Sequence, residues 1–178
     1  MTKLRQILVR FRGDENGVAL VEMAIVTPFV LLLSAGVFEF SNILNTRLLL
    51  EAGVEDAARY MARCAAEPGD PTKPTDPKTV KWAACSSVAK NIAVNGAWTG
   101  GSARVAGWTT DQVQIDTTFT SAADSATPPN ELYLSSTNNV YIVKVSTSYS
   151  YPDLGFWSYL GFGDLTLSVF HQERVFGW

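Results

Sequence analysis

Histidine occurs once in these 178 residues and cysteine twice. Two cysteines and one histidine do not complete a tetrahedral zinc site at a recognisable spacing. His171, on an expected strand beside Phe170, reads as a structural or exposed residue rather than a base. Nucleophile-elbow, H-E-x-x-H, Walker and Rossmann patterns are all missing. Gly100-Gly101 is a turn, with no helix behind it to hold a phosphate. The expectation is therefore no cofactor, no metal and no enzyme. Basic charge is scarce too. Lys3, Arg5, Arg10 and Arg12 precede Gly17, so the remainder holds 10 of the 14 basic side chains against 15 acidic ones, a formal net of −5. Nucleic acid is excluded as a partner, because phosphate neutralisation needs a basic face. Proline is missing between Pro28 and Pro68, which leaves that stretch free to form one helix.

What is present begins with a long apolar run. Met23 to Phe38 is 16 residues without a charge, and Val18 to Phe40 is 23 residues with only Glu22 and Glu39. That suffices for one transmembrane helix. The basic flank before it places the N-terminus in the cytoplasm. Glu22 is the anomaly, since a carboxylate at the bilayer centre costs about 2.5 to 3.5 kcal/mol on insertion scales and less near the interface. A cut after Gly17 would supply a partner, because the new α-amino group of Val18 lies one helical turn away. The alternative is an interfacial carboxylate solvated by headgroups. Glu39, 17 residues on and about 25 Å along the axis, is read as the marker of the opposite interface, with water as its partner. Two other readings of the run stay open. One is a single-pass anchor that is never cut, and the other a Sec signal peptide with Ser34-Ala35-Gly36 as its small-residue site.

Past Phe40 the pattern becomes amphipathic, with Ile43, Leu44, Leu48, Val54, Ala57, Ala58 and Met61 at helical spacing. One helix from about Val18 to Ala66 is predicted, about 73 Å long, loosened or kinked at Pro28, which cannot bond to the Ala24 carbonyl. Glu67 to Pro77 is a proline-rich surface connection. Asp76-Pro77 then reads as an N-cap with proline at the first helical position, and Gly96 as the stop of a second helix. Val80, Ala83, Ala84, Val88, Ile92 and Ala93 are expected on its apolar face. Period-two segments follow around Val113, Ile115 and Phe119, Val140, Ile142 and Val145, and Leu165, Leu167 and Val169. They predict an antiparallel sheet of three to five strands packed on the long helix, within about 104–176. Ser121 to Asn130 is expected to be a mobile, exposed loop. The fold class is therefore α+β: a long N-terminal helix, membrane-embedded in its first half, on a small antiparallel sheet with a second short helix. The length allows one such core and no second.

The residues Gly17-Val18-Ala19-Leu20-Val21-Glu22 resemble the processing site of type IV prepilins, which a membrane-embedded prepilin peptidase cuts after the glycine. The longer stretch from Asn16 to Leu33, followed by Gly36-Val37-Phe38-Glu39-Phe40, is similar to the TadE-like (TadE/TadF) pseudopilins of tight-adherence, Flp-type pilus systems. Ala57-Ala58-Arg59-Tyr60-Met61-Ala62-Arg63-Cys64 fits the same plan, while Met23 stands where the Flp-type pattern commonly has an aromatic. The resemblance is specific over about residues 16 to 64. It implies a leader over 1–17, a transmembrane or filament-core helix over 18–40 and a periplasmic head over 41–178. Gly17 and Val18 would then flank the cut, and Glu22 would set register in the assembled bundle. The implied function is a minor pilin used in pilus initiation or at the tip, supporting adhesion. Its partners would be prepilin peptidase, other Tad minor pilins, the major pilin, the inner-membrane assembly platform and the membrane itself. The implied location is the bacterial inner membrane, with passage into the extracellular pilus. The competing function is an uncleaved, membrane-anchored periplasmic interaction module.

With that topology Cys64 and Cys85 face the oxidising periplasm, where a bridge is expected. Two buried thiols in a helix seam are the alternative. Pro152 to Asp164 gathers Phe156, Trp157, Tyr159, Leu160 and Phe162 into a surface connection. Such a cluster either folds over its own core or forms a docking patch for another subunit or the membrane surface.

Overall fold

A computed structural model describes residues 15–64, 72–133, 138–163 and 165–175. The basic leader residues, the helix end at Ala65-Ala66, the start of the proline-rich connection and Asp164 lie outside the described residues. Helix α1 spans Glu15–Cys64 and α2 spans Pro77–Asn95; strands β1 (Val113–Ser121) and β2 (Asn139–Tyr151) follow, then the short helix α3 (Phe156–Tyr159) and strand β3 (Leu165–Arg174). The chain divides into two compact units. The first is Met1–Asn42 with Asp153–Gly163, and the second Ile43–Pro152 with Asp164–Trp178.

In the first unit α1 is apolar all round and every side chain from Val18 to Ala35 is exposed. The helix is long and apolar enough to cross a membrane. It stays helical through Pro28. The hydroxyls of Thr27 and Ser34 donate to the carbonyls of Met23 and Val30, one turn back, at 2.6 and 2.7 Å, so neither adds an unpaired donor to the apolar surface.

In the second unit the same helix acquires one buried stripe: Ile43, Thr46, Leu50, Val54, Ala57, Ala58, Met61 and Ala62, a three–four spacing that keeps one face inward. Leu44 and Leu48, expected on that face, fall beside the stripe and are exposed. Arg47 and Glu51 pair along the outer surface at 2.8 Å, and Arg59 pairs with Glu55.

Helix α2 has the predicted ends. The Asp76 side chain accepts from the Lys78 amide at 3.1 Å. Gly96 takes φ +66° and its amide donates to the Ile92 carbonyl, a left-handed cap that glycine adopts without a Cβ penalty. Its buried face meets the expected one only at Ala93. Cys85, Ala89, Ala93 and Val94 are inside, whereas Val80, Ala83 and Ala84 are exposed and Val88 and Ile92 half-buried. The physical reason is close approach. A Cβ on Gly53 of α1 would stand 2.5 Å from the Ala93 carbonyl oxygen and 2.6 Å from Trp108 Cη2, so only small residues fit at this crossing. Arg104 adds a polar tie, donating to Asp56 of α1 at 2.6 Å and, at 3.5 Å, to the Ile92 carbonyl near the end of α2, where a cation meets the negative end of the helix dipole.

The sheet has three strands in the order β1-β2-β3, all antiparallel, with Val113 opposite Thr147 and Tyr151 opposite Leu165. Val143, Val145, Thr147, Tyr149 and Tyr151 of the central strand point inward, joined by Val113, Leu167 and Val169. Ile142 has the other parity. Phe119 keeps the inward parity yet is exposed, with its ring 6.0 Å from that of Tyr141. Trp108 links helix and sheet: its indole packs at Gly53, and Nε1 donates to Thr147 Oγ1 at 3.0 Å. The Tyr149 hydroxyl donates to the Ala106 carbonyl at 2.7 Å, and burial pushes its pKa up. The segment after β1 is mostly exposed, as expected, and internally bonded. Asp124 accepts from the Asn130 side chain and from the amides of Asn130 and Ala126, which in that order hold its carboxyl below the usual range.

Candidate functional site

Three places carry the residues that the sequence singles out. The first is the start of α1. Gly17 and Val18 are already helical, so the Gly17–Val18 bond lies within the first turns of the helix. Val18 and Glu22 are four residues apart and therefore stack on one face. Both are exposed, as is Val21 between them.

The second place is the other end of the apolar run, where the structure corrects the reading of Glu39. This carboxylate does not face interfacial water. It is 1% exposed, and its two oxygens accept the same amide hydrogen, from Leu154, at 3.1 Å each. The Phe156 ring lies one turn of α1 away, against Gly36; a Cβ at Gly36 would sit 3.3 Å from its Cζ. Gly36 and Glu39, at i and i+3 on one face, thus receive the loop 153–163. The loop is closed by Asp153, which accepts from the Ser158 amide at 2.8 Å and from the Ser158 hydroxyl at 2.9 to 3.0 Å. Those bonds, the amide first, lower the Asp153 pKa. Trp157 stacks edge-on with Phe156 at 5.5 Å and with Phe162 at 5.4 Å.

The predicted aromatic patch is therefore split. Phe156 and Trp157 are half-buried and hold the loop together, while Tyr159 is 83% and Phe162 60% exposed, beside an exposed Leu154 and Leu160. Sequence reasoning named the aromatics but missed Gly36, Glu39 and Asp153 as the residues that seat them. The available signal was a carboxylate ending an apolar run three residues after a glycine.

The third place is the disulfide. Cys64, the last residue of α1, and Cys85 of α2 are bonded, with Cα atoms 5.9 Å apart. Of the two readings left open for these cysteines, the bridge is the one observed. His171 sits on β3 beside Glu173 at 3.3 Å, both partly exposed.

Residues 17–59 match the family model described as TadE-like protein. The match starts at the glycine of the prepilin-like junction and runs along α1 to Arg59, nearly the whole span of the resemblance in residues 16 to 64. No curated protein and no solved structure matches the chain.

Proposed function

We propose that this chain is a pilin-like minor subunit of a tight-adherence pilus, cut after Gly17 by a prepilin peptidase. In this reading α1 holds the protein in the inner membrane with its N-terminus cytoplasmic and the disulfide-bonded sheet unit periplasmic. The cut chain then leaves the bilayer by bundling its helix with those of other minor pilins and the major pilin on the assembly platform, and the role is structural rather than catalytic. The observation that carries it is the first half of α1: a helix with every side chain exposed from Val18 to Ala35 and one carboxylate, Glu22, a turn from Val18, inside the TadE-like match. Among the described residues, none covers a side chain of this stretch. Apolar helices gain little hydrophobic free energy from one another in lipid, so packing and polar contacts decide their association. Where water is scarce an unpaired charge is penalised by several kcal/mol, so the stagger that joins Glu22 to a Val18 amine is favoured over its neighbours.

The test is the mature N-terminus. Co-expression with a prepilin peptidase should yield a chain starting at Val18. A start at Met1 would support the uncut anchored module, and a start at Val37 a Sec signal. Glu22→Ala supplies the second arm. The variant should insert in the membrane as well as the parent or better, yet fail to associate with partner pilins or to support piliation. Normal pili from that variant would remove the register role.

A further inference from the structure

The loop 153–163 is an unusual occupant for the end of an apolar helix. Over its eleven residues it carries one charge, Asp153, whose carboxylate is turned onto Ser158. Its outward side chains are Leu154, Tyr159, Leu160 and Phe162. It is seated on α1 by two contacts at one level, Phe156 on Gly36 and the Leu154 amide on Glu39. That level is set by the helix. From Glu22 to Glu39 is 17 residues, about 25 Å at 1.5 Å per residue, comparable with a hydrocarbon core about 30 Å thick. Gly36 and Glu39 thus lie where lipid tails give way to headgroups. Tyrosine and tryptophan concentrate at that depth because one end of the ring system is apolar and the other polar.

We infer that the loop is a membrane-interface anchor, with Tyr159, Leu160, Phe162 and Leu154 inserted among the lipid headgroups and upper acyl chains, and Glu39 and Gly36 as the residues that position it. The occupant is lipid because the exposed loop side chains continue, without a charged break, the wholly exposed apolar surface of α1. The Glu39 carboxylate ends that surface and is kept from water by the loop it holds. The inference rests on α1 being in the membrane, and it deepens that reading by giving the second half of the chain a contact with the bilayer of its own.

The experiment uses the full chain reconstituted in phosphatidylcholine vesicles with and without bromine on the acyl chains. Tyr159→Trp and Phe162→Trp each add one indole, read as the difference from the parent. The added emission should be blue-shifted and lost in brominated lipid, while aqueous iodide leaves it intact. Quenching by iodide and not by bromine would put the loop in water and overturn the inference. Resistance to both quenchers would mean that protein, such as a second copy, covers the loop, and would overturn the inference equally. On the Tyr159→Trp background, Gly36→Leu and Glu39→Ala should convert bromine quenching into iodide quenching, and Glu39→Gln, which keeps an acceptor for the Leu154 amide, should not. Persistent bromine quenching in both Gly36→Leu and Glu39→Ala would overturn the positioning role. Extraction at alkaline pH separates the anchor from the reading beneath it. A chain released from the vesicles refutes the membrane reading itself, whereas a chain that stays put with a bromine-insensitive loop refutes the anchor alone.

Discussion

Two carboxylates on one helix show how far surroundings decide what a residue does. Glu22 is exposed on the apolar stretch of α1, and Glu39 is buried against a backbone amide supplied by a loop 115 residues away. The proposed register role gives the first an external partner, whereas the second is already occupied. Glycine shows the same dependence. Gly36 leaves room for a ring, whereas Gly53 leaves room for a backbone carbonyl and for Trp108. A carbonyl and a buried indole cannot swing away as the end of a flexible side chain would. Gly53→Ala should therefore destabilise the second unit by about 1 to 3 kcal/mol, the usual range for overpacking. The denaturant midpoint of the detergent-solubilised chain, followed by tryptophan fluorescence, measures it. An unchanged midpoint would show that the crossing of α1 and α2 has slack.

At the scale of elements, the ends of α2 were legible and most of its buried face was not, whereas five of the seven residues expected on the inner face of α1 are buried. Asp76-Pro77 and Gly96 fix the limits of α2 through bonds to neighbours two to four residues away, so local sequence contains them. The face of α2 is chosen by partners that local sequence does not contain: the bond to Cys64 and the tight crossing at Gly53. A helix so rich in alanine has little amphipathic contrast to announce the choice. The observed and expected faces are separable by experiment. Ala89→Leu should destabilise the second unit by about 1 to 3 kcal/mol, because Ala89 has no exposed surface. Ala84→Leu, on the face that was expected to be buried, should leave the midpoint nearly unchanged. Equal effects would return α2 to the orientation predicted from its pattern. The candidate site divides in the same way. Gly17, Val18 and Glu22 are proposed from a spacing of six residues that the sequence itself displays, while the pairing of Glu39 with Leu154 joins segments that only the fold brings together.

The short helix α3 offers a pH test at this scale. Asp153 is held below the ordinary aspartate range by the Ser158 amide and then by its hydroxyl. For a lowered carboxyl the stabilisation is present above the ordinary aspartate value. It is lost as pH falls through the lowered value of the folded loop. The Ser158 amide resonance should therefore be steady from neutral pH downward and move only in strong acid. Asp153→Asn should abolish that late step. A Ser158 signal that titrates near neutrality, or does not titrate in acid, would contradict the hydrogen bond.

For the molecule as a whole, the disulfide ties the chain's chemistry to its topology. Cys64 and Cys85 are 21 residues apart and bonded, and a loop of that length contributes about 3 kcal/mol in the chain-entropy account. Such a bond forms and persists in an oxidising compartment and is rare where thiols are kept reduced. If α1 crosses the inner membrane with its basic flank inside, the second unit folds on the oxidising side and the bond closes there. Chain recovered from bacterial membranes under conditions that trap free thiols should then have a mass two hydrogens below the reduced form. The same chain with α1 deleted as far as Asn42, and hence kept in the cytoplasm, should carry two alkylated cysteines. Its second unit should also unfold at lower denaturant, by an amount of the order of the loop term. Free thiols in the membrane-derived protein would place that unit on the cytoplasmic side and reverse the proposed orientation, whatever the N-terminus proved to be.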